Sequence, residues 1–124
     1  MNERLDILVV DDNIINLDLV SFVLDLGGFA VRTATDATLA MDLIAKRRPD
    51  LILMDIQLPG VDGAELTRQL KADPAMRQIV IIAFTAYAMK DDQAKLLASG
   101  FDGYLSKPIN VATFADQVRR CLPS

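Results

Sequence analysis

Five short apolar segments punctuate the chain, at 5–10, 30–33, 51–54, 79–84 and 103–105, and a stretch of helical periodicity follows each. The third and fourth are runs of Leu, Ile and Val with little alternation, which suits strands buried on both faces. The first helix is predicted over 13–26, with Asp18, Ser21 and Asp25 as a polar stripe against Leu17, Val20, Phe22, Val23 and Leu24; Gly27-Gly28 stops it. A second starts from a cap at Thr35 or Asp36, runs through Ala40, Met41, Leu43 and Ile44, and ends in Lys46-Arg47-Arg48-Pro49, basic where a helix dipole favours cations. Two short helices are predicted over 64–72 and 90–98. The last starts from a cap at Asn110 and puts Val111, Phe114, Ala115, Val118 and Leu122 on one face. Five alternations of strand and helix predict a parallel sheet covered on both faces, a five-stranded doubly wound α/β domain.

Composition narrows the function. A chain of 124 residues with 52% hydrophobic positions is one domain's worth of polypeptide, so 1–124 is expected to be a single domain with a core over about 5–122 and no output domain. Thirteen basic against seventeen acidic residues give a net charge of -4, which argues against nucleic-acid or polybasic membrane binding. No apolar stretch approaches the roughly 18 residues of a membrane span, and the protein is expected to be soluble and cytoplasmic. With no histidine and the single Cys121, hydrolases with a His base, His-containing metal sites and internal disulfides are excluded. Among the acids only Glu3 and Glu65 are Glu; the other fifteen are Asp, the carboxylate of caps, turns and metal sites.

In an open parallel sheet ligands bind beyond the carboxyl ends of the strands, so the residue after each strand matters most. Asp11 and Asp12 follow the first strand, Asp55 the third, Thr85 the fourth, and Lys107 with Pro108 the fifth. Three carboxylates brought together repel by about 4 kcal/mol per pair at 4 Å with an effective dielectric of 20, unless a cation sits among them. An all-oxygen set completed by water and phosphate suits Mg²⁺, with Mn²⁺ as the alternative. Thr85 and Lys107 suit phosphoryl oxygens, and a carboxylate can be the nucleophile that becomes an aspartyl phosphate, for which Asp55 is the candidate. Taken singly these residues have plainer readings: Asp11-Asp12-Asn13 as a helix cap, Asp55 as a turn, Thr85 as a strand end, Lys107 as a solvated lysine, Tyr104 as a half-buried sheet aromatic. Complementary groups at four separate strand exits are not what caps and turns alone produce.

The stretches Val9-Val10-Asp11-Asp12-Asn13, Leu53-Met54-Asp55-Ile56-Gln57-Leu58-Pro59-Gly60, Thr85-Ala86 and Tyr104-Leu105-Ser106-Lys107-Pro108 together resemble the response-regulator receiver domain of two-component signalling, over nearly the whole chain. The resemblance implies a CheY-like, flavodoxin-like fold with strand order 2-1-3-4-5 and five helices. It implies that Asp55 accepts a phosphoryl group from a phosphohistidine of a sensor histidine kinase or phosphotransfer protein. Mg²⁺ would be held by Asp12, Asp55 and the backbone carbonyl of Gln57, and by Asp11 through water. Lys107 would pair with the acyl phosphate, a cis bond would precede Pro108, and Thr85 and Tyr104 would be the switch pair. Phosphorylation would then reshape the surface of the fourth helix, fifth strand and fifth helix for a downstream protein, the chain acting as a monomer or a phosphorylation-dependent dimer. It would be no enzyme beyond catalysing its own phosphorylation and dephosphorylation. Gln57 and Tyr87 are expected to flank the phosphoryl group, Tyr87 hindering an attacking water. The stretches resemble both hybrid-kinase receivers and stand-alone DivK-like regulators.

Three rivals make different demands. A constitutive interaction module of the same fold would leave the acceptor unused and bind partners whether or not Asp55 is present. A flavodoxin-like cofactor carrier would want a Ser/Thr/Gly-rich phosphate loop where this chain puts two Asp residues. A phosphatase with an Asp nucleophile would usually carry a second Asp two residues on, where this chain has Gln57.

Overall fold

The computed structural model describes residues 5–56, 63–85, 94, 97–107 and 109–122. Strands β1 (Asp6–Val10), β2 (Ala30–Ala34), β3 (Leu51–Asp55), β4 (Val80–Thr85) and β5 (Gly103–Ser106) form one parallel sheet in the order β2-β1-β3-β4-β5. The described helices are α1 (Ile14–Leu26), α2 (Ala37–Lys46), α3 (Gly63–Ala72) and α4 (Phe114–Cys121). The helix expected over 90–98 falls largely outside the described residues.

Every residue of β1 and β3 is buried, as their unbroken apolar runs require of interior strands packed on both faces. Alternate side chains feed two cores. Leu8, Val10, Ile52, Met54, Ile81 and Ala83 meet Ala40 and Ile44 of α2 and Leu66 and Leu70 of α3. Ile7, Val9, Leu51, Leu53, Ile82 and Phe84 meet Leu17, Val20, Val23 and Leu24 of α1 and Phe114 and Val118 of α4.

Local signals set the helix ends. The Asn13 side chain accepts a hydrogen bond from the Asn16 amide and Asp36 one from the Leu39 amide, so of the two cap candidates for α2 it is Asp36 that caps. Gly28, at φ +92°, takes the left-handed conformation that ends α1. Phe22 and the start of the last helix depart from the sequence pattern. Phe22 is 61% exposed, because α1 is apolar on two sides and Ile15, Leu19, Phe22 and Leu26 share the outward one. The last helix begins at Phe114, not beside Asn110: the Asn110 carbonyl and carboxamide accept from the Thr113, Phe114 and Ala112 amides in a turn that leaves Val111 exposed.

At the amino edge of the sheet, Asp6 is 2% exposed and is gripped by Arg32 at 2.9 Å and Arg47 at 3.3 Å. Arg32 also donates to the Leu43 and Arg47 carbonyls, tying edge strand β2 to the end of α2. This pairing anchors the edge opposite the site.

Candidate functional site

Parallel strands all end on one edge, so the topology carries Asp11, Asp12, Asp55 and Lys107 to the same place from positions up to 96 residues apart. Asp11 and Asp12 follow β1, and Asp55 closes the adjacent β3. Carboxylate oxygens of all three lie within 4.8 Å of one another. Asp11 and Asp55 are buried and Asp12 is exposed, so the cluster opens to solvent on the Asp12 side. Gly63, at the start of α3, is required here: a Cβ would come within 2.9 Å of the Asp55 carbonyl oxygen, so a larger residue would push the helix away from the end of β3.

Lys107 reaches in from the end of β5 and donates to Asp11 Oδ2 at 2.9 Å and to Asp55 Oδ2 at 3.3 Å. The Asn13 amide donates to Asp11 Oδ1 at 2.9 Å. Burial alone would raise the Asp11 pKa, but the Asn13 amide and the Lys107 ammonium outweigh it and hold the carboxyl below its ordinary value. Burial would likewise lower Lys107, and its two carboxylate partners reverse that and raise it. Both groups are therefore charged at neutral pH.

Three carboxylates against one ammonium leave an excess of negative charge around oxygen donors only, with no sulfur or imidazole among them. That donor set fits a hard divalent cation such as Mg²⁺, whose remaining positions water and phosphate oxygens complete. The acids and Lys107 thus stand together as the strand exits imply. Thr85 closes β4 on the same edge; its side chain, Gln57, Tyr87 and Pro108 lie outside what the structure describes. Tyr104 is half-buried against the α2/α3 core and lines, with Leu105, Ser106, Asn110 and Gln117, a cavity of about 300 Å³ between β5 and α4.

The sequence pattern described as "Response regulator receiver domain" matches residues 7–119. The chain belongs to the response-regulator receiver family. The receiver is 40% identical over 116 residues to the polar-differentiation response regulator DivK of Brucella anthropi, and to that of Brucella ovis, covering 94% of each chain. It superposes on the chemotaxis response regulator CheY4 of Vibrio cholerae with a TM-score of 0.90 at 28% identity, covering 97% of this chain and 100% of that one. These likenesses agree with the doubly wound fold and the 2-1-3-4-5 order. Receiver domains typically bind Mg²⁺, and this receiver has the acidic cluster to do so.

One residue at the site went unremarked in the sequence. Phe84 reads as an ordinary core position of β4, yet the Lys107 ammonium stands over its ring, 5.1 Å from the centroid. The available signal was its place at the carboxyl end of a strand, one residue before Thr85. No helix among the described residues is long and apolar enough to cross a membrane.

Proposed function

We propose that this receiver is a phosphoryl-accepting switch whose acceptor is Asp55, supplied by a phosphohistidine of a sensor kinase or phosphotransfer protein. The observation that carries the reading is the convergence of Asp11, Asp12, Asp55 and Lys107 at the end of the central strands. An Asp55 carboxylate oxygen attacks phosphorus and forms the O–P bond as the P–N bond breaks. The bonding pair returns to the imidazole, which leaves neutral when its other nitrogen carries a proton. Lys107, already within 3.3 Å of Asp55, meets the phosphoryl oxygens with little movement. Asp11, Asp12 and Asp55, with the Gln57 carbonyl, would hold Mg²⁺, which supplies positive charge to the transferring group.

Phosphorylation adds a charge of about -1.5 to -2 and strong acceptors at Asp55. Thr85 moves toward them, Tyr104 turns into the space behind it, and the surface around β5 and α4 changes for a downstream protein. The reading places the chain in the cytoplasm, with no catalytic activity beyond its own phosphorylation and dephosphorylation. The likeness to DivK favours a role in polar differentiation.

Incubation with phosphoramidate and Mg²⁺ should add one phosphoryl group by intact mass, and chelation of the metal should prevent it. No addition to folded protein would favour the constitutive module. Tyr87→Ala should shorten the lifetime of the phosphoprotein, because a bulky side chain two positions past Thr85 hinders an attacking water. An unchanged lifetime would remove Tyr87 from the account.

A further inference from the structure

We propose that Phe84 is a positioning residue whose ring seats the Lys107 ammonium against the acceptor carboxylate. The inference rests on the reading of Asp55 as phosphoacceptor and goes beyond it by adding a residue that acts through Lys107.

Three observations converge on the ring. The β3/β4 register pairs Asp55 with Phe84, and alternation along each strand puts Asp55 on the face of Leu53 and Phe84 on the face of Ile82, which is the same face. The Lys107 Nζ lies 5.1 Å from the ring centroid, within cation–π range, while its bonds to Asp11 and Asp55 engage it elsewhere. The ring itself cannot drift: Phe84 is 2% exposed and packs against Phe114 of α4, centroids 5.7 Å apart and planes tilted by 43°.

A lysine ammonium is a compact charge on a flexible four-carbon stem, so holding it in one place needs more than one partner. Here the carboxylates draw it forward and the negative face of the ring holds it from another side. An aliphatic residue at position 84 would exclude water equally well and would attract the cation less. The benefit falls on transfer, where a charge already in position stabilises the developing negative oxygens without reorganisation.

Phe84→Leu keeps an apolar filling and removes the π face. With phosphoramidate as donor, its maximal rate of phosphorylation should fall about three- to tenfold, with the half-saturating concentrations of donor and Mg²⁺ unchanged. Replacing Phe84 by 4-fluoro- and 3,4,5-trifluorophenylalanine separates seating from packing, since the shape is nearly kept while the ring face becomes less negative. The rate should decline stepwise with fluorine count in variants whose circular dichroism matches the wild type. A flat fluorine series, or a folded Phe84→Leu at the wild-type rate, would overturn the proposal. If Phe84→Leu does not fold, the fluorinated series decides alone. A wild type that takes up no phosphoryl group would instead defeat the reading of Asp55.

Discussion

Asp55→Ala takes up no phosphoryl group under any condition that modifies the wild type, yet in metal-free buffer it melts at the same temperature or higher. The first half follows from chemistry: without the carboxylate there is no nucleophile at the end of β3, and Asp11 is engaged by Asn13 and Lys107. The second follows from electrostatics. Three carboxylates with oxygens within 4.8 Å repel, and the two buried ones share the Lys107 ammonium. Removing Asp55 leaves Lys107 wholly to Asp11 and relieves the repulsion. The variant should also lose most of the rise in melting temperature that Mg²⁺ gives the wild type by binding only the folded state. Intact mass and thermal scans with and without Mg²⁺ check both halves. A variant that melts well below the wild type in metal-free buffer would mean that Asp55 stabilises the fold and that the cluster is not strained.

Lys107→Met shifts stability the other way. It removes the cation that Asp11 and Asp55 share and leaves an uncompensated charge on Asp11, which is 1% exposed. Breaking one side of a buried pair costs about 3–5 kcal/mol; with Lys107 itself part-exposed, about 2–3 kcal/mol is expected here. For a domain of this size that lowers the melting temperature by roughly 10 °C. Mg²⁺ should restore much of the loss, because it replaces positive charge in the same place. The phosphorylation rate should not recover with it and should stay roughly a hundredfold low, since the group aimed at the phosphoryl oxygens is gone. Thermal scans and mass time courses across a Mg²⁺ titration separate the two effects. Equal melting temperatures for variant and wild type without metal would show that Lys107 does not hold the cluster together.

The sheet and the charged members of the site were legible because the signals that place them are local. Buried interior strands announce themselves as unbroken apolar runs, which Asp11-Asp12 and Asp55 follow immediately, and Lys107 follows the short, half-buried β5. The cap at Asp36 rests on the same kind of signal. Most of what escaped depends on neighbours distant in sequence. On α1 apolar residues occupy two sides, so periodicity does not tell that Phe22 faces outward while Val23 faces the sheet. Asn110 has the residue type of a helix cap but closes a turn three residues early, a difference set by backbone geometry. Nothing in a strand sequence separates Phe84 as core from Phe84 as a seat for Lys107, which arrives from 23 positions further along. The Asp6–Arg32 pair likewise exists only because β1 and β2 lie side by side.

Asp55 is the proposed acceptor, and borohydride reduction tests this directly. Borohydride reduces an aspartyl phosphate to the alcohol with release of phosphate, which leaves homoserine at the modified position. After loading with phosphoramidate and Mg²⁺, peptide mapping should find homoserine at position 55 alone. Homoserine at position 11 or 12, or at none of the three in protein that is folded and exposed to donor and metal, would contradict it.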